Sequence, residues 1–218
     1  MSNEGVFQAY ERLIRQWQVN LVSRGDLEKI WERHIQDSLK IIELFPDLKF
    51  ERVLDVGSGA GFPGLPLAMA QPGKIFSLAE SIAKKCAFLN SVVSALSLSN
   101  VTVLCARSEE LGRKPNHRDQ YDLAVARALA HPVTALELVI PFARVGGACV
   151  FWGSGPDWAD RKLIEKAAGM LGGAYGGEKS YFLGGIERKL ILIEKTSLTP
   201  EKYPRRPGVA TKNPLRHD

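Results

Sequence analysis

The sequence predicts an α/β fold: a mostly parallel sheet covered by helices on both faces, with a helical extension in front of it. From residue 52 to residue 171, short apolar runs alternate with amphipathic stretches, the pattern of buried parallel strands joined by helices. Two further strand-like runs follow, joined by a short glycine-containing connection, and they predict a late antiparallel strand. The length of 218 residues fits one domain with an extension.

The composition excludes several classes of protein. Hydrophobic residues make up 45% and charged residues 24% of the chain, which are globular values rather than those of a disordered or fibrous protein. No apolar run is long enough for a membrane helix, and the first residues carry no secretory signal, so we expect a cytoplasmic protein. Cys86, Cys105 and Cys149 have no paired spacing, which predicts reduced, buried thiols with no disulfide and no metal site.

The helical extension is predicted over residues 1–48. Apolar side chains recur at helical spacing from Val6 to Leu21 and again from Leu27 to Ile42. Asp26 is the expected N-cap of the second helix, and Pro46 ends the pair.

The core is predicted over residues 49–197. Helices are expected near residues 65–70, 83–96, 132–142 and 157–171. A hairpin is expected from strands at 179–183 and 188–195, which flank Gly184 and Gly185. The five strands expected in the parallel part are RVLDV (52–56), KIFSLAE (74–80), VTVLCA (101–106), DLAVA (122–126) and ACVFW (148–152).

The tail, residues 198–218, is basic and rich in proline, with five Lys or Arg side chains against two acidic ones. A basic tail favours an anionic partner such as nucleic acid, and a solvated terminus is the alternative. The prolines predict an ordered loop or a flexible arm. Packing of Tyr203 and Leu215 over the core is compatible with either reading.

A glycine-rich loop, DVGSGAGFPG at residues 55–64, follows the first predicted strand directly. Gly57, Gly59 and Gly61 allow a sharp turn with positive φ and let a ligand touch the backbone. The start of the following helix is expected to offer free N–H groups to an anionic part of a ligand. The stretch from Gly59 to Gly64 also fits the dinucleotide pattern G-x-G-x-x-G, so the loop alone does not separate the cofactors.

Glu80 ends the second predicted strand, where a carboxylate accepts hydrogen bonds from a ribose 2′,3′-diol. That diol is common to NAD and S-adenosylmethionine. The late hairpin after five strand–helix units is the pattern of a class I (Rossmann-like) methyltransferase sheet, and Asp55 before the first glycine is also typical of that class. An NAD(P)-dependent oxidoreductase is the disfavoured alternative, because the sheet is expected to end in this hairpin.

The chain resembles the ribosomal RNA small subunit methyltransferase G family, also called glucose-inhibited division protein B, over most of its length. One departure is Trp152-Gly153, where family members often have Lys-Gly; Trp152 is either a stacking surface or a packed side chain. The matching segments are NLVS (20–23), RHIQDSL (33–39), DVGSGAGFPGLPLA (55–68), LAESIAKKCAFL (78–89), ARA (126–128), YPRRPG (203–208) and KNPL (212–215).

The resemblance implies a seven-stranded sheet and an S-adenosylmethionine-dependent enzyme that methylates N7 of one guanosine in small-subunit (16S) ribosomal RNA by direct displacement. N7 carries a lone pair and no proton, so the reaction needs no general base. The implied partner is this RNA, free or in an assembling 30S particle, with a monomeric enzyme that uses no metal or membrane. The alternatives are another RNA position, or a cofactor-binding RNA-binding module without turnover.

The implied site residues fall into three groups. Arg127 is the catalytic candidate, holding the methionine carboxylate or guanine O6, and a surface ion pair is its alternative. The phosphate-contact candidates are Arg33, His34, Arg205, Arg206 and Lys212. The cofactor candidates are Gly57, Gly59, Gly61, Phe62, Glu80, Ser108, Glu109 and Arg127.

Overall fold

The computed structural model describes residues 3–18, 21–153 and 156–215. The α-helices are α1 (Asn3–Gln16), α2 (Asp37–Leu44), α3 (Gly64–Ala70), α4 (Ala83–Ala95), α5 (Ser108–Leu111), α6 (Pro132–Val139), α7 (Arg161–Met170) and α8 (Val209–Lys212). The strands are β1 (Arg52–Val56), β2 (Ile75–Glu80), β3 (Val101–Cys105), β4 (Tyr121–Arg127), β5 (Ala143–Gly153), β6 (Gly173–Leu183) and β7 (Ile186–Lys195).

The predicted fold class is confirmed. The seven strands form one sheet in the order β3-β2-β1-β4-β5-β7-β6. Strands β1 to β5 pair in parallel, and β7 runs antiparallel to both of its neighbours, β5 and β6. Strands β5 and β6 begin earlier than predicted, in glycine-containing stretches whose strand propensity is low.

The order of the strands positions the site. Strand β1 lies between β2 and β4. Strands β2 and β3 follow on one side of β1, and β4 to β7 lie on its other side. A crevice forms outside the carboxyl ends of the strands at such a point. The glycine-rich loop, Glu80, α5 and Arg127 all follow strand ends at this edge.

The N-terminal extension is less regular than two α-helices. After α1, residues Arg24–Lys29 form a 3₁₀ helix and Trp31–Gln36 form a π-helix that runs into α2. Asp26 lies inside the 3₁₀ helix, so its prediction as an N-cap is wrong. Its carboxylate instead accepts hydrogen bonds from Ser23 Oγ at 2.6 Å and Arg33 Nη1 at 2.7 Å.

The cysteine prediction is also wrong. Cys86 near the start of α4 and Cys105 at the end of β3 form a disulfide, with Cα atoms 5.8 Å apart, and Cys105 is exposed. Local spacing gave no sign of the pair because it joins two elements that meet only in the folded sheet. Cys149 is free and buried. No helix in the described part of the chain has the length and apolar character needed to cross a membrane.

Candidate active site

Two adjacent cavities lie at the carboxyl edge of the sheet, and Ala128 lines both. Ala128 has φ of 51°, a left-handed conformation that costs free energy in a residue other than glycine and is common at functional sites. The loop cavity, of about 310 Å³, is defined by Gly57, Glu80, Ser108, Glu109, Gly208 and Thr211. The arginine cavity, of about 430 Å³, is defined by Arg33, His34, Asp37, Arg127, Tyr181 and Arg188.

The glycine-rich loop has the conformation that its sequence predicts. Gly57, Gly59 and Gly61 have φ values of 73°, 59° and 98°. The N–H groups of Gly57 and Ser58 donate to the Ala79 carbonyl at 2.8 and 3.1 Å, which ties the loop to β2. The positive φ disfavours any other residue at Gly57, and a Cβ atom there would also displace the end of the Leu129 side chain.

Asp55 is fully buried. Its carboxylate accepts a hydrogen bond from the first N–H group of α3, a group that was expected to be free for a ligand. Its Oδ2 accepts from the Gly64 N–H at 3.0 Å, and the Leu65 N–H donates to the Gly61 carbonyl at 2.7 Å. That expectation is therefore wrong. Burial raises the pKa of Asp55 to about 7, against the lowering effect of the Gly64 N–H. A cofactor pyrophosphate at this helix start would face a carboxyl group, which counts against dinucleotide binding.

Side chains of both charges line the loop cavity: the buried carboxylates Glu80 and Glu109, and the basic residues Lys85 and Arg107. Glu80 is 5% exposed and accepts from the N–H groups of Gly59 at 2.9 Å, Ser81 at 2.7 Å and Ile82 at 2.8 Å. A carboxylate has about four acceptor positions, so one on Oε2 remains for a ligand hydroxyl. Glu109 is 7% exposed and accepts from the Gly208 N–H at 3.1 Å. The carboxylate oxygens can accept hydrogen bonds from ligand hydroxyl groups.

Asp37 holds the arginine cavity together. Its side chain is 1% exposed, and its Oδ2 lies 2.9 Å from Nη1 of both Arg127 and Arg188. The Tyr181 hydroxyl donates to Oδ1 at 2.6 Å, and burial raises the pKa of Tyr181. The carboxylate of the N-terminal extension thus fixes two guanidinium groups from the sheet.

His34 lines the arginine cavity. Its ring stacks on Phe62 with centroids 4.9 Å apart, and the Arg127 guanidinium lies over the same Phe62 ring at 4.9 Å. Arg127 Nη2 is 2.9 Å from His34 Nδ1. Because arginine only donates, Nδ1 accepts and the ring proton sits on Nε2. Burial, aided by the Arg127 charge, lowers the pKa of His34 to about 4, so the ring is neutral at pH 7.

The predicted cofactor residues meet at one edge but divide between the two cavities. Gly57, Glu80, Ser108 and Glu109 line the loop cavity, and Gly59 supports Glu80. Arg127 lines the arginine cavity.

The other two predicted cofactor residues line neither cavity. Phe62 is buried under His34 and Arg127, and Gly61 packs against Leu65 and Tyr10. Trp152 is buried, donates from Nε1 to the Asp37 carbonyl at 2.8 Å and lines the arginine cavity, so it is a packed side chain, and its stacking role stays a prediction.

The predicted phosphate contacts divide in a similar way. Arg206 and Lys212 are exposed, and Arg33 is partly exposed while paired with Asp26. Arg205 instead points inward, where Nη2 lies 2.6 Å from Glu137 Oε2. This geometry counts against the phosphate role predicted for Arg205, whose guanidinium is engaged by Glu137. The phosphate contact predicted for His34 stays a prediction.

Sequence reasoning missed Asp37, Tyr181 and Arg188 in the arginine cavity, and Gly208 and Thr211 in the loop cavity. Asp37 stands in the RHIQDSL segment, where an acidic residue on an otherwise apolar helical face was an available signal. The other four residues gave none, because their partners lie far away along the chain.

Comparison with known proteins gives a consistent family. A sequence profile described as rRNA small subunit methyltransferase G matches residues 3–156. The chain is 36% identical to "Ribosomal RNA small subunit methyltransferase G" of Dictyoglomus thermophilum, over 97% of this chain and 89% of that protein. It is 40% identical to the protein of the same name from Roseiflexus castenholzii, over 96% and 90%.

Solved structures share the fold at low sequence identity. An S-adenosylmethionine-dependent methyltransferase from Aquifex aeolicus matches with a TM-score of 0.56 and 18% identity, over 79% of this chain and 98% of that one. TrmN from Thermus thermophilus also matches with a TM-score of 0.56, at 17% identity, over 75% and 53%.

Proposed function

Because the chain belongs to the rRNA small subunit methyltransferase G family, we propose that it transfers the methyl group of S-adenosylmethionine to N7 of a guanosine in small-subunit ribosomal RNA. The family uses S-adenosylmethionine, and this chain is an enzyme of that family. The choice of N7 and the roles of individual residues are the proposal.

The observation that carries the proposal is that each carboxylate in the described lining of the arginine cavity is ion-paired with arginine, which disfavours its action as a general base. Asp37 is bound by Arg127, Arg188 and Tyr181. Within the described lining, Asp26 is bound by Ser23 and Arg33.

The remaining basic group, His34, has its acceptor nitrogen bound by Arg127. Methylation of an exocyclic amine or a ribose hydroxyl needs a base to remove a proton. Guanine N7 needs none, because its lone pair attacks directly, so this lining suits N7.

The loop cavity fits the cofactor. The acceptor position on Glu80 Oε2 takes a ribose hydroxyl. Gly57, Ser108 and Glu109 form walls of the cavity, and a side chain at position 57 would displace Leu129. Bound there, S-adenosylmethionine supplies an electrophilic methyl carbon on a positively charged sulfur.

The arginine cavity receives the guanine. Arg127 and Arg188 carry further N–H groups that can donate to guanine O6 and leave N7 free. The base must leave its stack to enter. Alignment of the nucleophile with the methyl carbon supplies much of the catalysis, and the pairing with Asp37 fixes the two guanidinium groups for it.

Exposed or partly exposed basic residues lie on the tail and beside the arginine cavity. Arg206 and Lys212 on the tail, and Arg33 beside the arginine cavity, are proposed to contact RNA phosphates. A monomeric state, a cytoplasmic location and the boundaries at residues 48 and 197 remain predictions from the sequence.

The test uses small-subunit RNA with the target guanosine either intact or replaced by 7-deazaguanosine, which lacks the N7 lone pair. Single-turnover rates are measured between about pH 6 and pH 9. We expect a nearly constant rate with guanosine and no transfer to 7-deazaguanosine. Transfer to the 7-deaza RNA, or a rate that rises about tenfold per pH unit as for removal of a proton by base, would contradict the proposal.

A further inference from the structure

Glu137 on α6 is a carboxylate with 0% exposure whose partner comes from the C-terminal tail. The Arg205 N–H donates to Oε1 at 2.9 Å, Nε donates to Oε1 at 2.9 Å and Oε2 at 3.1 Å, and Nη2 donates to Oε2 at 2.6 Å. In the part of the chain that the structure describes, Arg205 supplies all the hydrogen bonds to this carboxylate. A bidentate pair around a buried acid is strong and directional.

The residues that follow Arg205 form part of the loop cavity. The Gly208 N–H donates to Glu109 Oε1 at 3.1 Å, and Thr134 Oγ1 donates to the Ala210 carbonyl at 3.1 Å. Gly208 and Thr211 line the cavity itself. The tail is therefore a wall of the cavity as well as a basic surface.

The segment before Arg205 has its own anchor. Arg118 donates from Nη2 to the Thr199 carbonyl at 2.5 Å and from Nη1 to the Tyr203 carbonyl at 2.7 Å. This anchor ends at Tyr203, so beyond it the pair with Glu137 is the charged contact that holds the chain against α6.

We propose that Arg205 is a positioning residue for the cofactor: by pairing with buried Glu137, it holds residues 205–212 in place as a wall of the loop cavity. The inference rests on the proposed binding of S-adenosylmethionine in that cavity. Arg206, the next residue, is exposed and is free to meet RNA. Two adjacent arginines thus have separate roles, one toward the cofactor and one toward the nucleic acid.

The experiment compares Arg205→Ala with its matched control Arg206→Ala. Affinity for S-adenosylmethionine is measured by calorimetry, and RNA affinity is measured against salt. We expect Arg205→Ala to raise the Kd for the cofactor at least about tenfold, because Glu137 loses its partner. Its KM for the cofactor should rise by a similar factor, with kcat at saturation nearly unchanged. Arg206→Ala should leave the cofactor Kd within about twofold and reduce the RNA salt slope by about one.

A second pair of variants separates positioning from folding. In Arg205→Met with Glu137→Met, the buried charge is gone, so the protein should fold. Hydrogen exchange of residues 206–212 should still be faster, and the cofactor Kd at least about fivefold higher. Arg205→Lys should give an intermediate affinity for the cofactor, because lysine keeps the positive charge but cannot form the bidentate pair with Glu137.

Two results would overturn the inference. The first is a native cofactor Kd in the Arg205→Met, Glu137→Met variant although hydrogen exchange of residues 206–212 is faster. The second is a change in only the RNA salt slope, and not in the cofactor Kd, for Arg205→Ala. Native protein that binds no cofactor would overturn it as well. Native protein that binds the cofactor but methylates no guanosine N7 would contradict the proposed function and leave the inference intact.

Discussion

Arg127 Nη1, at the end of β4, lies 2.9 Å from Oδ2 of Asp37, at the start of α2 in the N-terminal extension. Arg188 from β7 lies at the same distance from the same oxygen. The extension is therefore joined to the carboxyl edge of the sheet by a buried carboxylate, and the arginine cavity depends on residues from both.

Asp37→Ala should be strongly destabilising. Removing one partner leaves two partly buried guanidinium groups without their carboxylate, which costs about 3–5 kcal/mol of unfolding free energy. Asp47→Ala is the matched control, because Asp47 is exposed, and surface changes usually stay within about 0.5 kcal/mol. Urea denaturation measures both. A loss below about 1 kcal/mol for Asp37→Ala would show that the ion pairs contribute little.

His34 should remain neutral well below the usual range for histidine. Its pKa is about 4 in the folded protein, below its ordinary value of 6.5, because burial penalises the charged ring. The unfolded chain therefore binds a proton first, and His34 contributes stability above pH 6.5 that is lost as the pH falls toward 4.

NMR titration of the His34 ring tests this expectation. The nitrogen shifts should place the proton on Nε2, since Nδ1 accepts from Arg127. In stability measurements, His34→Gln should lose less stability than the native protein between pH 6.5 and pH 4. A His34 titration midpoint near 6.5 is the outcome that this interpretation does not allow.

Asp55 should give the opposite dependence on pH. Burial raises its pKa from 3.8 to about 7, so the folded state holds a proton that the unfolded state releases between these values. The stability contributed by Asp55 is full below pH 3.8 and is lost as the pH rises through 7. Asp55→Asn should therefore gain stability relative to the native protein between pH 5 and pH 8.

Asp122→Asn is the control for that experiment. Burial alone would raise the pKa of Asp122, but the hydrogen bonds from Arg52, Arg144 and Glu51 and the Arg144 charge together outweigh it and lower the pKa. The contribution of Asp122 is therefore lost only as the pH falls in the acid range. Thermal unfolding of the three proteins at pH 5 and pH 8 provides the comparison. An Asp55→Asn difference that does not change between these pH values would mean that Asp55 is already ionised at pH 5.

Much of this architecture was readable in the sequence, because the strands are local patterns. RVLDV predicted β1 to the residue, and the glycine spacing predicted the positive φ values of the loop. Strand ends fix the edge at which the loop, Glu80 and Arg127 meet, so the position of the site was also predictable.

The ion-pair partners of the charged side chains could not be predicted from the sequence, because each pair joins segments that are far apart along the chain. Asp37 meets Arg188, and Glu137 meets Arg205, across separations that no spacing rule reports. The disulfide between Cys86 and Cys105 and the inward orientation of Arg205 were missed for the same reason. The π-helix was missed because its apolar residues fit ordinary helical spacing closely enough.

Glu80→Ala should weaken cofactor binding at least about tenfold, since a buried ribose hydroxyl loses its acceptor, worth about 1.4 kcal/mol or more. The loss also frees the Gly59 N–H, which Glu80 holds at 2.9 Å. Glu110→Ala is the control, because Glu110 is exposed on α5. Calorimetry with S-adenosylmethionine measures both variants, and equal affinity of Glu80→Ala and native protein would remove Glu80 from the cofactor site.

The most direct measurement combines the purified protein, methyl-labelled S-adenosylmethionine and small-subunit ribosomal RNA, followed by nuclease digestion and mass analysis of the labelled nucleoside. We predict that the label is recovered as 7-methylguanosine from a single position in the RNA. Label in any other nucleoside, or RNA that stays unlabelled both as naked RNA and in 30S particles lacking the modification, would contradict the account.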